Sequence, residues 1–152
     1  MATLNKGDQA PNFKAQDQFG KTHHLSDYQG KKLVIYFYPK DNTPGCTAQA
    51  CNLRDNIAGL TAKNIAVLGV SADSESSHVK FTDKYELNFP LLVDTDRTII
   101  EAFGVWGPKK FMGKTYDGIN RTTFIIDENG TIQEVISKVD TKNHTQQILD
   151  LL

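Results

Sequence analysis

Hydrophobic and polar positions divide this chain into short apolar runs and longer amphipathic stretches. Residues 33–38 form an apolar run without a charge, closed by Pro39, which predicts a strand buried on both faces. Turn formers follow at Asn42, Pro44 and Gly45, and then Ala50, Leu53, Ile57 and Leu60 recur at three- and four-residue spacing. That spacing puts one apolar stripe on a helix running from about residue 44. Thr43-Pro44 suits its start, with a hydroxyl at the N-cap and a proline at the first helical position, where its missing N–H is not needed. Residues 65–70 predict a second buried strand, 74–85 a helix with Val79 and Phe81 among its apolar positions, 89–93 a third strand and 96–103 a short helix. Residues 122–126 and 131–136 flank Asp127-Glu128-Asn129-Gly130, a hairpin signal, and 141–152 close the chain as a helix. Upstream, Pro11, Phe13 and Gly20-Lys21 predict a short hairpin or extended arm with its turn near Gly20, and residues 26–30 a turn or a single helical turn. The glycine- and lysine-rich segment 104–120 reads as a long surface loop.

Strand–helix alternation predicts an α/β domain, with a mostly parallel central sheet, helices on both faces and antiparallel edge strands from the last hairpin. No repeat or linker divides the chain, so a single domain over residues 1–152 is expected. Seventeen basic side chains against eighteen acidic ones leave no electrostatic case for nucleic acid or an anionic membrane surface. Residues 1–8 hold no apolar core of a leader peptide and no run is long enough to span a bilayer, which points to a cytoplasmic protein.

The chemistry-bearing residues are the two cysteines, Cys46 and Cys51. A strand feeding a helix whose first turn carries a cysteine is an arrangement for making a reactive thiolate, and two cysteines in an intracellular chain favour redox or catalytic work over a structural disulfide. Read singly, each neighbour has a plainer role: Thr43 an N-cap, Pro39 a strand terminator, Arg121 a solvated charge at a strand end. The C-x₄-C pair could be inert or half a zinc site, but His23, His24, His78 and His144 show no ligand spacing to complete one, and Trp106 and Met112 read as packing residues.

Taken together, Pro39-x-x-x-Thr43-x-x-Cys46 resembles the active-site motif of the peroxiredoxins, and Cys51 the resolving cysteine of their Q-type branch, the bacterioferritin comigratory proteins. The resemblance continues through Tyr36-Phe37-Tyr38-Pro39-Lys40-Asp41, Val105-Trp106-Gly107, Phe111-Met112-Gly113-Lys114 and residues 121–127, and so covers essentially the whole chain. It implies a thioredoxin-like fold with a central mixed sheet and an N-terminal hairpin extension. The implied reaction is thiol-dependent reduction of hydrogen peroxide and organic hydroperoxides. Cys46 would be peroxidatic and Cys51 resolving, with Pro39, Thr43 and Arg121 as supporting residues. Thioredoxin or glutaredoxin would reduce the resulting disulfide, in a monomer that needs no metal or organic cofactor.

Physical chemistry says what such a site must supply. A free thiol of pKa ~8.5 is only a few per cent thiolate at neutral pH, and a helix N-terminus favours the anion by only ~0.3–1 kcal/mol. A nearby guanidinium is needed as well, and Arg121 at the start of a strand is the arginine expected there. Full ionisation would raise the rate only about 30-fold, so groups that hold the peroxide oxygens must provide the rest. The Thr43 hydroxyl, the Arg121 fork and the Cys46 N–H are the candidates, with Pro39 walling off water. If both cysteines are helical, they lie ~140° apart around the axis and ~8.6 Å apart at Cα, beyond the ~7 Å a disulfide spans. The segment would then have to unwind to form the bond; Thr47, Gln49 and Asn52 are polar, and little apolar surface is expected to anchor it before Leu53. The competing enzyme reading, a dithiol–disulfide oxidoreductase, expects C-x-x-C and a proline where this chain has Asn120 before Arg121. A binding or chaperone-like domain with incidental cysteines is the alternative outside catalysis.

Overall fold

The computed structural model describes residues 4–152. The apolar run after residue 32 becomes β3 (Lys32–Phe37), with Leu33 through Phe37 all buried. It lies between β4 (Ile65–Ser71), its parallel neighbour, and β8 (Thr122–Ile126), its antiparallel one. Beyond β4 lies β5 (Leu91–Val93), and beyond β8 lies β9 (Ile132–Ile136), giving the order β5-β4-β3-β8-β9.

A strand buried on both faces requires cover on both, and the alternation of β3 divides that cover. Leu33, Ile35 and Phe37 enter one apolar cluster with Phe13, with Ile99 and Ile100 of α3 (Thr98–Ala102), and with Phe103. Val34, Tyr36 and Tyr38 enter the other, with Ala50 and Leu53 of α1 (Pro44–Ala62), Phe81 of α2 (Glu75–Tyr85) and Ile148 of α4 (His144–Asp150). Each fully buried aliphatic or aromatic side chain in these clusters contributes about 1.5–3 kcal/mol. The architecture is thioredoxin-like. The expected N-terminal hairpin is present as β1 (Lys14–Gln16) and β2 (Thr22–His24), its turn containing Gly20 at φ +79°, followed by a 3-10 turn at Leu25–Tyr28.

The sheet is mixed rather than mostly parallel. β8 is an interior strand, and only β9 of the last hairpin is an edge. All five residues of β8 are buried, as befits a strand with neighbours on both sides.

The expected loop at 104–120 is instead a second hairpin, β6 (Trp106–Phe111) paired with β7 (Lys114–Ile119). Its turn is Met112-Gly113, with φ +53° and +79°, the pair of positive angles that a tight two-residue hairpin turn requires. Lys114 to Asp117 are all exposed, so the strand has no apolar face to betray it in the sequence. Met112 is 86% exposed and does not pack, whereas Trp106 packs against the core and lies 4.2 Å under the Arg97 guanidinium.

Smaller differences have local causes. The third strand starts only at Leu91, after Pro90, and the last helix spans His144–Asp150 rather than residues 141–152. On α2 the buried residues are His78, Phe81 and Thr82, while Val79 faces solvent. Among the described residues no helix is long and apolar enough to cross a membrane. The leader-peptide reading falls partly on residues 1–3, outside the described residues.

Candidate active site

The site is built where β3 hands over to α1. After Phe37 the chain passes through buried Tyr38 and half-buried Pro39, then turns at Asn42, whose φ of +60° an asparagine tolerates better than most residues. Thr43 is the N-cap and Pro44 the first helical residue, as expected. The Thr43 hydroxyl does not cap, however. It donates to the Lys40 carbonyl at 2.9 Å, closing the loop on itself and leaving the oxygen's lone pairs free to accept. The first bond of the helix runs from Thr47 N to Thr43 O at 2.8 Å, so the N–H groups of Gly45 and Cys46 lack acceptors within it.

Cys46 lies in that first turn and is 2% exposed. Arg121 reaches it from the opposite strand: the register that pairs Phe37 with Thr122 sets residue 121 across from the end of β3. Its Nη2 lies 3.3 Å from Cys46 Sγ, and its Nη1 donates to Gln49 Oε1 at 2.7 Å. Among the described residues no carboxylate forms an ion pair with Arg121. Its charge is therefore spent on the sulfur and on the neutral amide that orients the fork.

Neighbouring groups register that charge. Burial, with Arg121 as a lesser contributor, lowers the His144 pKa, so this imidazole between Thr123 Oγ1 and Gln147 Oε1 is neutral. Lys109 is likewise shifted down, first by burial and then by Arg121. Tyr36 is pushed well above its ordinary value by burial and next by the nearness of Cys46 and Asp41, with Arg121 working against the shift.

Two residues that sequence reasoning passed over complete the geometry. Gln49 is fully buried one helical turn after Cys46, with its Nε2 unpartnered. The i, i+3 spacing on the helix that carries Cys46 was the signal available. Gly45 lets the guanidinium in: a Cβ there would stand 3.2 Å from Arg121 Nη2.

The expectation that polar residues leave this segment weakly anchored does not hold. Gln49 and Ala50 are wholly buried. Asn52 accepts from Thr145 N at 2.8 Å and donates to Lys142 O at 3.0 Å, bonds that tie α1 to the start of α4. Specific polar partners do the anchoring that an apolar stripe would otherwise do.

Of the five expected site residues, then, Cys46 and Arg121 are in direct contact, Thr43 caps the same helix by position, and Pro39 ends the preceding strand. Cys51 is on the same helix, half-buried, and both cysteines are free thiols.

Residues 6–135 match the profile of the AhpC/TSA family. The chain is 49% identical over 152 residues to peroxiredoxin Bcp of Escherichia coli, covering 100% of this chain and 97% of that one. Among solved structures, PrxQ of Xylella fastidiosa superposes with a TM-score of 0.92 at 34% identity, covering 99% and 96% of the two chains. The bacterioferritin comigratory protein of Xanthomonas campestris, whose structures are described in terms of alkyl peroxide reduction, gives 0.85 at 34% identity over 91% and 88%.

Proposed function

This chain belongs to the AhpC/TSA family as a peroxiredoxin of the Bcp (Q) type, a thiol peroxidase, and from that premise we propose that Cys46 is its peroxidatic residue and Cys51 its resolving one. The observation that carries the assignment is the 3.3 Å contact between Arg121 Nη2 and the buried Sγ of Cys46 in the first turn of a helix.

In the first step the Cys46 thiolate attacks the terminal oxygen of a hydroperoxide. The O–O bond breaks, sulfur is oxidised to the sulfenic acid, and the alkoxide or hydroxide leaves with a proton from solvent. The site residues divide the work by their hydrogen-bonding capacity. Thr43, its own proton committed to Lys40 O, can accept the peroxide O–H. Arg121 and the free N–H groups of the first turn can donate to the oxygens as charge passes onto the leaving one. Pro39, at the strand end, closes the turn and keeps water from the thiolate.

In the second step Cys51 attacks the sulfenic sulfur, water leaves, and the disulfide forms. Both cysteines are helical, so their Cα atoms stand about 8.6 Å apart and α1 must unwind by about one turn first. A dithiol reductant of the thioredoxin or glutaredoxin type then restores both thiols. The substrates are hydrogen peroxide and organic hydroperoxides, and the whole chain acts as one cytoplasmic domain, as a monomer.

Peroxide consumption with thioredoxin, its reductase and NADPH tests this on wild type and two variants. Cys46→Ser should have no activity. Cys51→Ser should react once, stop at a sulfenic acid, and lose most of the turnover. Wild-type rates in Cys46→Ser would refute the assignment.

A further inference from the structure

The loop that carries Thr43 is fastened mainly through Asp41, a buried residue with four partners, three at its carboxylate and one at its backbone N–H; beside it Asn42 Oδ1 accepts from Tyr85 OH at 3.0 Å. Its Oδ1 accepts from Tyr38 OH at 2.6 Å; its Oδ2 lies 2.8 Å from Ser77 Oγ and 2.7 Å from His78 Nδ1. Its backbone N–H donates to Asp73 Oδ2 at 2.8 Å, which Ser71 Oγ also supports at 2.7 Å. These partners come from the chain just after β3, the chain just after β4 and α2, so one residue, through its side chain and its backbone N–H, ties the loop to both of its neighbours.

His78 is entirely buried, and its other nitrogen, Nε2, lies 2.8 Å from the Leu92 carbonyl of β5. A carbonyl can only accept, so Nε2 carries a proton; a second proton lies in the 2.7 Å contact between Nδ1 and the carboxylate, on the ring when the pair is ionised. Burial disfavours charge on the ring, but the Asp41 hydrogen bond and charge, the Leu92 carbonyl and Asp73 outweigh it, and the pKa is raised. A raised pKa with a carboxylate oxygen at 2.7 Å favours an imidazolium paired with Asp41 inside the protein. Donor atoms of Asp41, Asp73 and His78 do lie within 4.8 Å of one another, a spacing that could suit a metal ion. Asp41 Oδ2, Asp73 Oδ2 and His78 Nδ1 are, however, already engaged in hydrogen bonds within the protein.

Removing one partner of such a pair is costly, whereas a neutral pair of similar shape would hold the fold as well. A charged pair is rigid and directional, and what it fixes here is the backbone two residues before Thr43. We infer that Asp41 and His78 are positioning residues for peroxide reduction: their buried ion pair holds the loop at 39–43 so that Thr43 and the first turn of α1 meet the peroxide in one geometry. This rests on the peroxidatic role of Cys46. It adds a residue from α2, 32 positions after Cys46 in the sequence, that touches neither sulfur nor substrate. The pair acts on the first step alone, because resolution requires α1 to leave that geometry in any case.

The test separates the two steps in His78→Leu, His78→Asn and Asp41→Asn. Stopped-flow oxidation by one equivalent of hydrogen peroxide should slow about 10- to 100-fold in His78→Leu, the range that misplacing a catalytic group produces. Disulfide formation after the sulfenic acid should stay within about 2-fold of wild type, since that step does not use the loop geometry. His78→Asn keeps a donor near the Nδ1 position but not the charge, and should recover only part of the first-step rate. Histidine nitrogen NMR of the wild type should show one ring protonated on both nitrogens at pH 7, a signal absent from His78→Asn. A folded His78→Leu that is oxidised at the wild-type rate would overturn the inference, as would equal slowing of both steps or a neutral ring. Should His78→Leu not fold, Asp41→Asn carries the same expectations. Failure of the wild type itself to lose its Cys46 thiol to peroxide would instead refute the underlying assignment.

Discussion

Cys46 and Cys51 sit five residues apart on one helix in different surroundings. Cys46 is sealed at 2% exposure, with a guanidinium on its sulfur and that guanidinium held in turn by a buried amide. Cys51 is half-buried, and the polar contacts beside it come from Asn52, which reaches out to α4 rather than in to the site. The first environment is preorganised, so charge developing during a reaction meets dipoles already in place. The second is tied by specific hydrogen bonds to the start of α4, which must break if Cys51 is to travel. One helix can thus hold two thiols in different settings when different kinds of contact anchor its successive turns.

The largest expected effect strikes the Cys46 end. Arg121→Ala should slow single-turnover oxidation by roughly 10²-fold or more, the magnitude of losing a charge-stabilising donor. Thr43→Val should slow the same step to a lesser degree. If these residues act on the transition state, the deficit persists at a pH where the thiolate absorbance has reached its plateau. Recovery of the full wild-type rate there would reduce them to tuning ionisation and blur the contrast between the two cysteines.

A second test addresses the Cys51 end. On oxidation, amide hydrogen exchange should accelerate across residues 46–52 while β3 stays protected. Because Asn52 Oδ1 accepts from Thr145 N, the start of α4 should lose protection in the same transition. Unchanged exchange in both segments, with the disulfide shown to be intact, would mean that the bond forms without unwinding.

The smallest effect probes how closely the guanidinium is fitted. Gly45→Ala places a methyl 3.2 Å from Arg121 Nη2, and the fork must give by a few tenths of an ångström. We expect a loss of about 2- to 10-fold in first-step rate, with the rate of disulfide formation unchanged. An unaffected rate would show that the fork has slack and that its contact with sulfur is not geometrically exacting.

How far all this could be read in advance depended on what each segment contacts. The β3 run and the start of α1 were legible because burial on both faces demands an uninterrupted apolar stretch, and because Thr43-Pro44 is local helix-start chemistry. The β6–β7 hairpin was not, since its pairing leaves few apolar side chains covered and its turn uses Met112 at a positive φ. Arg121 was found by its resemblance to a motif, but its orienting partner Gln49 looked like an ordinary exposed polar residue. Asn52 misled in the same way: polarity was taken for weak anchoring, whereas its amide binds backbone groups of another helix.

The sequence by itself determined the strand–turn–helix unit, the place of Cys46 in the first turn and the spacing that keeps Cys51 out of disulfide reach. These depend on residues near one another in the chain, and periodicity and capping act over that range. Tertiary structure decided which distant side chains meet: Arg121 with Cys46 across 75 residues, and His78 with Asp41 across 37. The register of β3 against β8 and the packing of α2 beside the sheet set those encounters. A charge 75 positions away leaves no periodic mark in a sequence, because its energy depends on distance through the folded protein and not along the chain.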